Sequence, residues 1–359
     1  MRVAVTGATG NVGSVLVRRL LAEGHDVVGV CRRPPPPGVA PYDAVTWHAL
    51  DLTAADAEPR LQEAFAGADA VVHLAWGFQP SHRLDHLEAL GVGGTGAVAR
   101  AVILARVPHL VHMSSVGAYS PRTGSAPVTE DFATDGVPGS PYSRHKAAAE
   151  RLLDELEAGP VAGDEAPLVT RLRPGIIGQR EAGSALLRYG VPGFVPAGLL
   201  GHVPLLPLDR SLAVPVVHVD DVVDAVARVL ERHVGGAFNL ATSDPVTAEA
   251  IAGALGARLV PTPAPVLRAT VDGLWRARLL QLDPGWIDLA YAVPLMDTSR
   301  ARTALGWSPS RTGAHVLAET VDGLLGAASG TTPVLRPRSL GDTLRRLVQD
   351  GPVHHRLEP

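Results

Sequence analysis

The sequence predicts an α/β protein, a doubly wound parallel sheet with a smaller C-terminal α/β domain. Three observations carry this. Short apolar runs alternate with helical segments over residues 1–115. A glycine-rich turn joins the first apolar run to the first helix. After Arg173 the texture changes, and residues 179–215 are rich in Gly, Pro and Leu without a clear period. Apolar runs separated by helices read as parallel strands with right-handed crossovers.

In chain order, strands are expected at Val3–Thr6, Val27–Cys31, Ala44–His48, Ala70–Leu74 and Leu110–Ser114. The intervening helices are Val12–Ala22, Ala57–Phe65 and Leu84–Arg106. A long helix follows at Pro141–Glu157, then a Gly- and Pro-rich linker at Ala158–Pro167 and a strand at Leu168–Leu172. Strand–helix pairs come next, at Val214–Val219 with Val222–Arg232 and at Ala237–Ala241 with Ala248–Leu255. Pro265–Leu282 reads as one amphipathic helix, either for packing or as a lid over a substrate pocket. The domains are therefore 1–175 for the first sheet and 176–326 for substrate, partly interleaved. Residues 327–359 are rich in Pro, Gly, Ser and Thr and then Arg, and read as a mobile tail with a short helix at Leu340–Val348.

Bulk composition narrows the function classes. Apolar residues make up 46% and charged residues 19% of the 359, ordinary values for a soluble globular chain. A net charge of -4 gives no electrostatic reason for a nucleic-acid or membrane partner. The longest apolar runs are interrupted by charge or Pro, and the N-terminus begins directly with a strand-like run, so a cytoplasmic location is expected. One cysteine, Cys31, allows no intrachain disulfide and makes no metal site, and none is expected. Of 32 basic residues only one, Lys146, is lysine.

The turn Thr6-Gly7-Ala8-Thr9-Gly10-Asn11-Val12-Gly13 follows a strand and opens a helix, the context that separates a dinucleotide loop from a chance run of glycines. Gly7 allows the tight turn, Gly10 the approach of backbone to pyrophosphate, and Gly13 close packing of helix on strand. The free N–H groups of Asn11 and Val12 at the helix start favour a diphosphate. The fold is thus of Rossmann type. The second strand ends in Cys31-Arg32-Arg33, with cysteine where an acid would accept ribose hydroxyls. Two guanidiniums offer bidentate partners to a 2′-phosphate, which favours NADP(H) over NAD(H). Asp51 and Leu52, after the third strand, are placed to touch the adenine edge.

Tyr142-Ser143-Arg144-His145-Lys146 sits on the long helix, where the i, i+4 spacing puts Tyr142 and Lys146 on one face. A neighbouring ammonium is expected to lower the tyrosine pKa toward working pH and to hydrogen-bond the nicotinamide ribose. Ser115 closes the fifth strand, at the sheet edge where ligands bind, and its hydroxyl suits a substrate carbonyl. No Gly-x-Ser-x-Gly surrounds Ser114 or Ser115, so a serine hydrolase is a poor rival.

Together these residues resemble the extended short-chain dehydrogenase/reductase family of NAD(P)-dependent epimerase/dehydratase type. Further markers are His73-Leu74-Ala75, Arg173-Pro174-Gly175, His218-Val219-Asp220-Asp221-Val222 and Leu305-Gly306-Trp307, and the likeness covers residues 1–325. It implies Tyr142 as acid/base, Lys146 as its electrostatic partner and Ser115 as carbonyl donor. It implies that Leu74, Ala75, Trp76, Pro174 and Gly175 line the nicotinamide side, and that His218–Val222 begins a structural helix. It also suggests a homodimer through the helices Leu84–Arg106 and Pro141–Glu157. The chain departs from the family in places. Gly91 stands where Asn often precedes Val-x-Gly-Thr, which leaves one proton-relay contact unfilled. Val116-Gly117 replace the Asp-Glu of the dehydratase branch. Ser211–Pro215 is apolar, with Arg210 the one nearby cation for a diphosphate.

The expected function is an NAD(P)-dependent oxidoreductase moving a hydride between nicotinamide and a small or apolar carbonyl or alcohol, in a pocket lined by Trp76 and Phe78. Two rivals remain, a nucleotide-sugar epimerase using the same residues and a non-catalytic NADP(H)-sensing protein whose basic segment Arg336–Arg346 would meet a partner.

Overall fold

The computed structural model describes residues 1–77, 81–159, 166–190, 196–280 and 282–339. Its centre is a seven-stranded sheet. In chain order the strands and their main helices are β1 (Arg2–Thr6), α1 (Asn11–Ala22), β2 (Asp26–Cys31), β3 (Thr46–Ala49), α2 (Ala57–Phe65), β4 (Ala70–His73), α3 (Leu84–Leu104), β5 (His109–Met113), α4 (Pro141–Ala158), β6 (Leu168–Pro174), α5 (Val219–Arg232) and β7 (Gly236–Leu240). The spatial order is β7-β6-β5-β4-β1-β2-β3, and every pairing is parallel. The chain winds outward in both directions from the β1–β4 boundary, so the crevice of a doubly wound sheet opens there.

Both faces of the sheet are covered, which is why its strands read as unbroken apolar runs. On one face α1 and α5 bury Leu16, Leu20, Val223 and Val226 against Val3, Val5 and Phe238. On the other, α2, α3 and α4 bury Leu61, Val98, Val102 and Leu153 against Val28 and Val71. Helix α3 is long and apolar enough to cross a bilayer by length and composition, but over half of it is buried in the protein. It carries a π turn at Ala89–Gly93, a device that often marks a functional position.

Strand β7 and helix α5 come from beyond residue 175, so the sheet is completed only after the chain has begun its second unit. That unit is built on short strand pairs: Ile176–Gly178 with Val216–His218, Ala213–Val214 with Val246–Thr247, and Leu205–Leu208 with Arg258–Pro261. A third core joins it to the first through Tyr119, Val214, Val246, Leu289 and Val316. His218 caps α5 by accepting from Asp220 N at 3.1 Å, and Asp221 accepts from Ser310 N at 2.9 Å. Both residues are structural, as the resemblance implied.

Two expectations are corrected. The helix expected at Pro265–Leu282 ends early, at Ala264–Arg276, and a second helix, Pro284–Ala292, begins beyond the expected span. The first ends before Arg278, whose φ of 58° is left-handed. The second starts afresh where Asp283 accepts from Gly285 N at 2.7 Å ahead of Pro284. The tail expected to be mobile from residue 327 is packed as far as Arg336. Leu335 is 1% exposed, Thr332 Oγ1 donates to Thr9 O at 2.8 Å, and the Arg188 guanidinium binds the carbonyls of Val334 and Arg336. A buried leucine is worth about 1.5–3 kcal/mol, enough to hold a short polar segment down. The helix expected at Leu340–Val348 lies outside the described residues, as does Phe78.

Candidate active site

The expected cofactor residues follow the C-terminal ends of β1 to β6, along one edge of the sheet. Gly7 adopts φ +69°, and its N–H donates to Val30 O at 2.9 Å. A Cβ on Gly7 would lie 2.8 Å from Ala75 N, and one on Gly13 would lie 2.2 Å from Gly7 O. The loop is therefore closed to any side chain at either position. Helix α1 begins at Gly10 without a capping side chain and without an acidic residue in its first turn. Such a start suits an anion, so the loop fits a dinucleotide diphosphate. Gln179 Nε2 donates to Asn11 O at 2.9 Å and to its side-chain oxygen, fixing the start of α1 to the segment after β6. Gln179 is a site residue that no sequence motif singled out.

Leu74-Ala75 lies directly against this loop. Leu74 N donates to Thr6 O at 3.1 Å and Ala75 N to Thr6 Oγ1 at 3.4 Å. His73 ties the region together, 2.7 Å from Thr6 Oγ1 and 3.1 Å from Thr95 Oγ1. Burial drives its imidazole down to about 3, so it is a neutral structural link. Pro174 and Gly175 are buried at the end of β6, where a Cβ on Gly175 would meet Pro215 O at 2.4 Å.

At the end of β2, Cys31 is buried, and burial pushes its thiol up to about 11. Arg32 is half-buried and Arg33 exposed. Asp51 accepts from Thr53 N at 2.9 Å and from Thr53 Oγ1 at 2.8 Å. Burial raises its carboxyl, but those bonds and the charge of Arg32 outweigh it and hold the group below its ordinary value. Leu52 is buried against α3, where a Cβ on Gly94 would stand 3.2 Å from it. Its side chain belongs to the core, and Asp51 serves as a turn cap.

Tyr142 and Ser115 come together, with Lys146 one turn further along the same helix. Ser140 caps α4 by accepting from Ser143 N at 3.4 Å, and Pro141 follows at the first helical position. Ser143 Oγ donates to Gly117 O at 2.5 Å and so clamps the helix to the turn that carries Ser115. Ser115 Oγ accepts from Gly117 N at 3.0 Å and is hydrogen-bonded to the Tyr142 hydroxyl. The Tyr142 ring is half-buried, 5.0 Å from the ring of Trp286.

The expected lowering of the Tyr142 pKa is not found. Burial pushes the phenol up to about 12, with the Ser115 hydrogen bond as a smaller opposing effect. The Lys146 ammonium is engaged elsewhere. It donates to Met113 O at 2.8 Å and lies 3.4 Å from the centroid of the Trp76 ring. Burial thus favours the protonated form of the Tyr142 phenol.

Beneath the pair lies a buried network that sequence reasoning did not assign. Glu150 is bridged by Arg173, Nε to Oε1 at 2.8 Å and a terminal nitrogen to Oε2 at 2.5 Å, and it accepts from Ser114 Oγ. Arg173 also donates to Tyr119 Oη at 3.1 Å and Glu130 O at 2.8 Å, and Tyr119 donates to Asn239 at 2.6 Å. Glu150 was legible as the next i+4 position after Tyr142 and Lys146, on the same helix face.

Tyr142 also borders a small pocket that is partly open to solvent. Leu84, Leu87, Pro141 and Trp286 supply its apolar wall, and Ser81, Ser140, His145 and Asp283 its polar atoms. These described lining residues include a carboxyl and neither Lys nor Arg.

The model of the NAD dependent epimerase/dehydratase family matches residues 3–241. A UDP-glucose 4-epimerase of Mycolicibacterium smegmatis is 32% identical over 346 residues, covering 90% of this chain and 98% of the relative. An uncharacterized protein of Mycobacterium tuberculosis is 28% identical over 312 residues, 86% of this chain, and this chain spans only 28% of that protein's length. Among solved structures, the UDP-glucose 4-epimerase of Thermotoga maritima superposes with a TM-score of 0.68 at 20% identity, over 90% of this chain and 98% of that one. The glycine loop at the switch point, the Tyr142–Lys146 helix and the family match agree, and the chain belongs to the NAD-dependent epimerase/dehydratase family.

Proposed function

We propose that the protein is an NADP(H)-preferring oxidoreductase acting on a small or apolar carbonyl/alcohol pair, with Tyr142 as acid/base. The observation that carries this reading is the Tyr142 hydroxyl, paired with Ser115, beside a pocket whose described lining offers a carboxyl and no Lys or Arg. A nucleotide-sugar diphosphate carries negative charge and calls for cations, and an acidic wall opposes it. Three described arginines of the second unit are engaged by the protein or turned to solvent. Arg188 holds tail carbonyls, Arg180 pairs with Asp322 at 2.8 Å, and the Arg210 side chain is 71% exposed.

A carbonyl oxygen placed between Ser115 Oγ and Tyr142 Oη accepts a hydrogen bond from each. When bound, the dinucleotide supplies or takes the hydride. Tyr142 donates its proton to the oxygen as reduction proceeds, and Ser115 orients that oxygen. The Lys146 charge stabilises the phenolate left behind. The protonated phenol serves as the acid in the reductive direction and the phenolate as the base in the reverse. Arg32 and Arg33, beside Cys31 rather than an acid, are the partners for a 2′-phosphate.

A second reading is favoured by the relative named UDP-glucose 4-epimerase. The same Tyr142 and Ser115 would serve an epimerase that returns the hydride to the opposite face of a sugar. One experiment separates the two. Purified protein is offered NADPH or NADH with a panel of small apolar ketones, and separately UDP-glucose. We expect oxidation of NADPH in the presence of ketones and no conversion of UDP-glucose. Epimerised UDP-sugar with no net NADPH consumption would replace the proposal with the second reading. For the cofactor, Arg32→Ala/Arg33→Ala should weaken NADPH binding about tenfold or more in a fluorescence titration and leave NADH binding nearly unchanged. Equal loss for both nucleotides would refute the 2′-phosphate assignment.

A further inference from the structure

Trp76 stands where the segment after β4 meets α3 and α4. Its ring face covers the Lys146 ammonium, 3.4 Å from nitrogen to centroid. The same ring meets Tyr142 nearly at right angles, centroids 6.3 Å apart, and His112 at 6.5 Å. Gly91, in the π turn of α3, makes the room. A Cβ there would lie 3.0 Å from two carbons of the indole. A bulky residue at 76 and a bare one at 91 thus form one fitted pair.

Lys146 has need of such a cover. It is 3% exposed, and burial drives its amine well below the ordinary value, with Glu150 opposing. The titratable groups around it come from four elements. Tyr142 and Glu150 share its helix, His73 comes from β4 and His112 from β5, and Arg173 of β6 takes up both oxygens of Glu150. Both histidines are neutral, pushed down by burial and further by the ammonium itself. The one carboxylate close to Lys146 is therefore largely committed to Arg173. An aromatic face supplies negative potential without a proton to exchange, and its attraction for a cation is greatest where water is excluded.

We propose that Trp76 is a positioning residue for Lys146: its ring, seated in the gap left by Gly91, caps the ammonium and holds it charged beside Tyr142. Trp76 acts through Lys146 and need not touch the reacting atoms.

The sequence makes this directly testable, because Lys146 is the only lysine in the chain. Protein grown on carbon-13-labelled lysine reports this residue alone in a proton–carbon NMR spectrum, with neither cofactor nor substrate present. In the wild type the Lys146 Hε signal should lie upfield of its ordinary position, because it sits over the indole face. Trp76→Leu should return it to the ordinary position and lower the pH at which the signal titrates by about one unit. Trp76→Phe, which keeps a smaller ring, should retain part of both effects. Gly91→Ala, which crowds the indole, should move both in the direction of Trp76→Leu. The two milder variants carry the comparison even where Trp76→Leu does not fold. An ordinary Hε position in the wild type, or a titration unchanged in the variants, overturns the proposal whatever the substrate proves to be.

Discussion

Tyr142→Phe is expected to bind nucleotide as the wild type does and to lose turnover by about 10²–10⁴-fold, the range of a positioned proton donor. The change deletes one oxygen. The ring stays against Trp286 and Trp76, so the cavity wall and the helix survive. Only the hydroxyl that meets Ser115 is lost. A nucleotide titration and a steady-state assay on the same preparation check both halves. Loss of binding together with turnover would mean that the ring was needed structurally, and retained turnover would move the proton donor to another residue. The pH dependence has a definite sign. A phenol raised to about 12 stays protonated through the neutral range. The reductive rate should therefore not fall on the alkaline side until well above neutral pH. A base limb near neutrality would instead indicate that cofactor binding brings the phenol down.

The second large effect is on stability. Arg173 and Glu150 form an ion pair whose side chains are 6% and 2% exposed. Removing one partner leaves the other charge buried without its counter-charge, at a cost of about 3–5 kcal/mol. Glu150→Ala and Arg173→Met should each lower the unfolding free energy, read from a denaturant titration, by that margin. The double replacement Glu150→Leu/Arg173→Met should recover much of the loss, because an apolar pair of similar volume removes both desolvation penalties. Burial raises the Glu150 carboxyl, but Arg173 and Ser114 more than reverse this and leave it below its ordinary value. A depressed carboxyl contributes stability that is complete above the unfolded value of about 4.3 and lost as pH falls below it. Wild-type stability should therefore drop in mild acid more steeply than that of Glu150→Gln. Equal acid slopes would exclude the pair as a source of that dependence.

The sheet was legible because its signal is local and repeated. Apolar runs, a glycine turn and helical spacing recur from Val3 to Met113, and the helix Ala57–Phe65 matches its expected bounds. Ser115, Tyr142 and Lys146 were legible for a related reason: strand-end and i+4 spacings are properties of the chain itself. The sign of the Tyr142 shift was not, because it depends on how much wall surrounds the hydroxyl, and that wall includes Trp286 from a helix 140 residues downstream. The same holds for Lys146. Spacing places it beside Tyr142, but its nearest partner is a ring from the segment after β4, admitted by the missing side chain at Gly91. Leu52 is expected at the adenine edge because it follows a strand, and the structure adds that its side chain is packed in the core. The polar composition of residues 327–339 suggested mobility and concealed one leucine and one threonine, each with a buried destination.

That last segment has a consequence for the order in which the protein is made. The glycine loop is synthesised long before the segment that closes it: Thr9 accepts a hydrogen bond from Thr332, made more than three hundred residues later. Strand β7, the outermost strand beside β6, also arrives late. During synthesis the loop thus lacks this contact until Thr332 has been made and has returned to it. Ribosome-bound chains halted before residue 327 should hold nucleotide less firmly than the released protein.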